Sequence, residues 1–506
     1  MKTYTKPFIL IIITSLLCSF HAKADDQLKT GRDAIKSGDY AKAIEALVDA
    51  TKSNKKNAEG FTLLGEAYLM IDSVDLALGA LVQAKDIDPA NARIYDLIGD
   101  TYWKQKIYAA AEEQYRKSTE IDSMSVKVYL KLADASKKMR HYNDAARAMQ
   151  RVLVLDAVNL PALRGLADLF VRGKQYAPAL PVLELLVRLQ PDSMTSTIQY
   201  IKALSETKGD SILIPLAKKV LEKDPSQEEV KNILATAYER TKDFERGAEL
   251  LDKMNPDSLK IEALISGAKT YKELEMWDKA INFYLRAMKK DSARCDVPYD
   301  LGTTYMKMKR YEEAITMFER KILCDTTPGY LYAAHLNAGM CLMQLKLFKQ
   351  AKVHIQAAIQ LRPDNVQAWM TLAQCLGQMD QTSEEIAAYK KIIEIVNAAK
   401  ENGDEGKPTP QPGEAYKMVG VRLLIEATKD KEEPKKEKYL AALEYLKKAL
   451  LYLPRECSLL LWTAQASQNS NNKEDAIKYY RKLLELCPKS KEADDAKKGL
   501  NALGVE

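Results

Sequence analysis

A small residue returns every 34 positions along the first third of the chain: Gly31, Gly65, Gly99, Ala133, Ala167. Two other series keep step with it. One is Ala43, Ala77, Ala111, Ala145, Ala179; the other is Tyr40, Val74, Tyr108, Tyr142, Tyr176. A period this short cannot describe a domain, but it suits two amphipathic helices and their turns. Such a unit cannot bury its apolar face alone and must stack on its neighbours. Without repeats, 506 residues would imply three or four domains; with them, one array suffices. The packing logic follows from the residue sizes. The small residue on the first helix lets the second cross closely, and the alanine on the second helix does the same for the following unit. Large residues fill the gaps. Proline cannot continue a helix, so Pro89, Pro191, Pro225, Pro363, Pro454 and Pro488 end individual units.

Individual stretches make the pattern specific. Phe61-Thr62-Leu63-Leu64-Gly65-Glu66-Ala67-Tyr68 is followed by Ala77-Leu78, Ala84 and Pro89. Leu301-Gly302-Thr303-Thr304-Tyr305 is followed by Tyr311 through Ile315 and Phe318. Trp277 to Ile281 with Tyr284 and Ala287 gives a third copy, and Trp369, Leu372 and Ala373 open a fourth. These segments resemble the tetratricopeptide repeat. The resemblance implies an all-α solenoid: a right-handed superhelix of antiparallel helix hairpins, about 13 repeats long. The repeats begin near 25, 58, 92, 126, 160, 194, 228, 260, 295, 332, 366, 413 and 457. The sixth reads as degenerate, because Ile201 and Leu213 stand where small residues belong. Asn255-Pro256 shortens the seventh. The expected organisation is a leader (1–24), an N-terminal array (25–227), a middle array (228–396), a Gly/Pro-rich insertion (397–413), C-terminal repeats (414–489) and a capping helix with tail (490–506). A second, charged interruption falls at 428–438.

The leader reads as an export signal. Lys2 and Lys6 precede an apolar run from Phe8 to Leu17, and Ala22-Lys23-Ala24 offers small residues at a cleavage point before Asp25. Ten apolar residues are too few to span a bilayer, which takes about 20. Cys18 follows Leu16-Leu17, whereas a lipobox wants a small residue before its cysteine, so lipidation is not expected. The destination is the periplasm if the cell has an outer membrane. Removing Lys2, Lys6 and Lys23 from a formal charge of +6 leaves +3, which gives neither a nucleic-acid footprint nor a polybasic membrane patch.

Six cysteines follow the leader. Cys295 and Cys324 bracket the ninth repeat, and Cys457 and Cys487 the thirteenth. In an antiparallel hairpin the start of the first helix lies beside the end of the second. Both pairs are therefore placed for disulfides in a compartment that permits them. Cys341 and Cys375 sit 34 apart and read as small packing residues.

No catalytic constellation is found, no phosphate-binding glycine loop and no metal-type spacing, so no cofactor is expected. His141, His335 and His354 are scattered. Gly209-Asp210-Ser211-Ile212-Leu213 echoes a hydrolase nucleophile motif, but it lies between two helices and reads as a turn and cap. In the tetratricopeptide family the first helices line a concave groove that holds the partner. The residue after each small position would face it: Glu66, Asp100, Asp134 and Asp168, an acidic ladder with Trp103 nearby. The ladder has two readings. It forms a site for a basic or mixed peptide anchored on Trp103, or Lys104, Lys138 and Arg172, each four residues on, neutralise it. Met306, Met340, Met343 and Met370 make the other half methionine-rich. That stripe suits adaptable apolar partners or belongs to the core. The expected role is a non-enzymatic scaffold binding other proteins in a periplasmic complex concerned with outer-membrane transport, secretion or assembly. The alternative is a chaperone-like holdase for exported clients.

Overall fold

The computed structural model describes residues 25–325, 327–401, 411–429 and 435–505. The leader with Cys18, and much of both interruptions, lie outside the described residues. Everything regular among the described residues is helical: thirteen successive hairpins and a last helix, Lys491–Ala502. The chain separates into two compact units, Met1–Thr241 and Lys242–Glu506, within the seventh repeat.

In the first unit the period is kept to the residue. The first helices of repeats 2 to 6 are Ala58–Met70, Ala92–Lys104, Val126–Lys138, Leu160–Arg172 and Met194–Glu206, each of 13 residues. The second helices are Val74–Ile87, Tyr108–Ile121, Tyr142–Leu155, Tyr176–Leu189 and Asp210–Lys223, each of 14. A large side chain sixteen residues on meets each small position. A β-carbon on Gly65 would lie 2.5 Å from Leu81, on Gly99 2.5 Å from Tyr115, and, in the second unit, on Gly302 2.8 Å from Phe318. Those distances leave no room for a side chain, which is why the first helix is small there.

The sixth repeat keeps the hairpin although its small residues are replaced. Its helices have standard length, and Ile201 and Leu213 are fully buried. Sixteen residues after Ile201, where other repeats carry Leu47, Leu81 or Tyr115, stands the fully buried Ala217. Large and small have changed places, so the pair conserves volume. The seventh repeat is shortened in its second helix, Phe244–Asp252, with Met254 and Leu259 buried behind it.

The turns carry their own rule. Between the two helices of nearly every repeat one residue has φ near +60°: Asp72, Lys106, Arg140, Lys174, Lys208 and Lys242, then Glu275, Lys309, Lys346, Asp380 and Asn471. The next N–H returns to the first helix, Ser73 to Tyr68 O (2.9 Å) and Ile107 to Tyr102 O (2.9 Å). This is the Schellman closure, which usually uses glycine. Between repeats an aspartate closes the chain by accepting from the N–H two residues on: Asp122 from Met124 (3.0 Å), Asp224 from Ser226 (2.9 Å), Asp291 from Ala293 (3.1 Å). Second helices stop two residues before Pro89, Pro191, Pro225, Pro363, Pro454 and Pro488. Pro181 and Pro215 are accommodated inside their helices.

In the second unit, Cys295 and Cys324 lie at disulfide distance with Cα atoms 5.7 Å apart. Cys457 and Cys487 do likewise at 6.2 Å. Cys341 and Cys375 are buried thiols; burial pushes Cys341 up to about 12.

Candidate protein-binding site

Two cavities open on the first helices of the first unit. One, of about 600 Å³, is lined by Glu66, Arg93, Asp96, Asp100 and Trp103, among others, from repeats 2 to 4. The second, of about 900 Å³, lies over repeats 4 and 5 and is lined by Trp103, Asp134, Lys138, Tyr142, Asp168 and Phe170. Trp103 belongs to both. All four rungs of the acidic ladder reach these cavities.

The ladder is not an open acidic surface. Each rung is held by a cation, and two of the cations come from a neighbouring repeat. Arg93 pairs with Glu66 at 2.5 Å. Lys131 is clamped between Asp96 and Asp100, 2.6 Å from each, and the Tyr115 hydroxyl donates to Asp100 at 2.8 Å. Asp134 takes Lys137 (2.7 Å) and Asp168 takes Arg172 (2.8 Å). Burial raises the Asp96 carboxyl above its ordinary value, opposed by Lys131. The same burial, with Asp100 beside it, raises the Tyr115 phenol.

Of the neutralising partners expected from the sequence, only Arg172 takes its rung. Lys104 turns away to Asp72 and to the Leu69 carbonyl (2.9 Å). Lys138 stands over the Tyr108 ring at 5.8 Å. The physical reason is reach: stacking brings the next first helix as near as the next turn of the same helix. The signal was present as a 27-residue offset, seen in Arg93–Glu66, Arg32–Glu59 and Lys202–Glu229. With the charges paired, what distinguishes the second cavity is aromatic. Trp103 packs edge-on to Tyr108 with centroids 5.1 Å apart, and Tyr142 is 53% exposed. Sequence reasoning passed over Tyr142 and Phe170 as site residues because their positions in the repeat are ordinary packing positions.

The methionines are divided. Met340 is exposed, while Met306, Met343 and Met370 are half-buried. Met343 and Met370 pack against the core around Leu342, Ile355 and Leu372. The stripe is thus in part core, the second of its two readings.

Other candidate polar groups are engaged within the fold. Asp210 of the hydrolase-like motif is held by both guanidinium arms of Arg240, at 2.9 and 2.5 Å. Glu112, His141 and Asp144 could converge on one ion. However, Glu112 already accepts from Ser136 Oγ (2.7 Å) and Arg116 (3.4 Å), and Asp144 is engaged by Arg147. The cluster locks repeats 3 and 4 together. Burial also holds the His335 and His354 imidazoles below their ordinary value. No helix among the described residues is long and apolar enough to cross a membrane.

Stacked antiparallel hairpins of 34 residues, with a groove over the first helices, define an all-helical repeat protein of the interaction-scaffold class. Sequence profiles of the tetratricopeptide repeat match residues 28–92 and 130–193, then 92–123, 299–320, 332–365 and 366–395, and finally 458–490, together more than half of the chain. The chain belongs to the tetratricopeptide repeat family. Among solved structures it is similar to the APC/C hetero-tetramer Cut9-Hcn1, at 13% identity over 94% of this chain and 96% of that one, TM-score 0.31. It is similar to Naa15/Naa10 bound to HypK-THB, at 12% identity over 95% and 96%, TM-score 0.38. A third is YrrB, described as a TPR protein with an unusual peptide-binding site, at 16% identity over 37% and 97%, TM-score 0.33.

Proposed function

We propose that this chain is a non-enzymatic scaffold of a bacterial cell envelope, exported by residues 1–24, whose first unit grips an extended segment of a partner protein. An apolar side chain of that segment sits against Trp103, Tyr142 and Phe170. The observation that carries this reading is the pair of cavities joined at Trp103 with the four ladder acids already paired. Paired charges give little net field, so affinity comes from apolar burial around an aromatic anchor. Export is supported by the leader's residues and by two cysteine pairs at disulfide distance. The partner is a component of an assembly for outer-membrane transport, secretion or assembly.

The test is capture of the full-length chain from detergent-solubilised envelopes of its own host. A scaffold gives one partner at fixed stoichiometry; a holdase gives many substoichiometric clients. Trp103→Ala with Phe170→Ala should reduce the partner's recovery at least tenfold. Neutralising Glu66, Asp100, Asp134 and Asp168 to their amides should reduce it less than threefold. Loss on neutralisation with retention in the aromatic variant would return the site to the acidic ladder.

A further inference from the structure

His335 lies on the first helix of repeat 10, Pro328–Gln344, and His354 on its second helix, Phe348–Leu361. Their Nδ1 atoms face each other at 3.2 Å, with ring centroids 5.3 Å apart and the planes inclined by 46°. Both rings are partly buried between the helices and partly open to solvent. We propose that this pair is a binding site for a borderline divalent transition-metal ion of the zinc, nickel or copper kind, which would staple the two helices of repeat 10.

The spacing is what carries the proposal. Two imidazole nitrogens on one tetrahedral ion, each at about 2.0–2.1 Å, stand about 3.3 Å from each other. The observed 3.2 Å matches that separation. Imidazole donors suit zinc, copper and nickel, and not magnesium or calcium. In the metal-free chain one ring must donate from Nδ1 to the other. On binding, that ring carries its hydrogen on Nε2 instead, so both Nδ1 lone pairs reach the ion and no net proton is released. The charge acting on His354 is Glu319, exposed on the second helix of the preceding repeat, Tyr311–Cys324. Water would complete the shell. The pair differs from the Glu112–His141–Asp144 cluster, where arginines occupy the carboxylates that an ion would need.

The test uses the full chain without a histidine tag, stripped with EDTA and titrated with zinc chloride by calorimetry, with melting followed in parallel. One ion per chain is expected, with a rise in Tm. His335→Asn and His354→Asn should each weaken binding at least tenfold, Glu319→Gln a few-fold, and His141→Asn not at all. Unchanged affinity in both histidine variants, or no ion bound at one per chain, overturns the proposal. Circular dichroism in EDTA checks that the variants fold. X-ray absorption on the zinc-loaded natural chain gives a readout independent of any variant: two imidazole nitrogens are expected in the first shell, and a shell without histidine refutes the site.

Discussion

Replacing Gly31 by alanine tests the small-against-large rule that sets the fold's period, through a reversal of sign. A β-carbon at Gly31 would lie 2.6 Å from Leu47 Cδ2, and its nearest neighbours are all atoms of Leu47, a side chain with no exposed surface. Overpacking of this kind costs about 1–3 kcal/mol, and the gain in helix propensity from glycine to alanine returns about 1 kcal/mol. Gly31→Ala should therefore destabilise the first repeat by about 1 kcal/mol. Leu47→Ala should cost about 3 kcal/mol, since it empties a fully buried leucine site. In the Leu47→Ala background the same Gly31→Ala change meets no clash, so it keeps the propensity gain and fills part of the void. There it should stabilise by about 1–2 kcal/mol, a coupling of about 2–3 kcal/mol between the two sites. Native-state hydrogen exchange on amides of residues 40–53 reads this locally, avoiding a single melting point for a repeat array. Each 1.4 kcal/mol changes the opening constant about tenfold. If Gly31→Ala destabilises equally in both backgrounds, Leu47 is not what the small residue accommodates.

Further outcomes follow from the turns, the cysteines and one carboxylate. Lys106 holds φ +62°. Glycine there relieves about 1–2 kcal/mol of left-handed strain and adds about 0.5–1 kcal/mol of unfolded-state entropy. Lys106→Gly should thus slow exchange in repeat 3 by a few-fold, although it removes a side chain. The oxidised chain should show only Cys341 and Cys375 to alkylation after unfolding, once the leader is gone. Opening either bridge, which closes a loop of 29 or 30 residues, should cost about 3–4 kcal/mol in its repeat. Asp325 is held down to about 2, first by Lys321 and then by the Thr327 N–H. A folded-state value below the unfolded one contributes stability above about pH 4 that is lost as the pH falls toward 2. Asp325→Asn should therefore melt lower at pH 7 and lose less on acidification.

The repeats were legible because helix packing is local in sequence. Small and large residues sixteen apart fix each hairpin, so hairpin starts could be read from positions such as Gly65 and Ala77. What stacking decides shows only between repeats. Arg93 and Lys131 reach acids 27 and 31 residues back, so the offset across two helices, and nothing in their own helices, marks them as partners. The left-handed lysines were hidden because glycine is the usual mark of that turn and, among the described residues, only Gly38 carries it there. The exchange of Ile201 with Ala217 looked like decay because volume is conserved by the pair and not by the position. His335 and His354 stand 19 residues apart, a spacing that names no metal motif, and only the hairpin brings them together.

The central claim is that a partner protein enters the first unit at Trp103. In-cell photo-crosslinking tests it most directly, with a benzophenone amino acid placed at Asn143, which lines the second cavity, or at Val154, which is 72% exposed and lines neither. One dominant adduct is expected from Asn143, lost when Trp103 and Phe170 are replaced by alanine, and none of that mass from Val154. An adduct formed equally from both positions, or from Val154 alone, would contradict it.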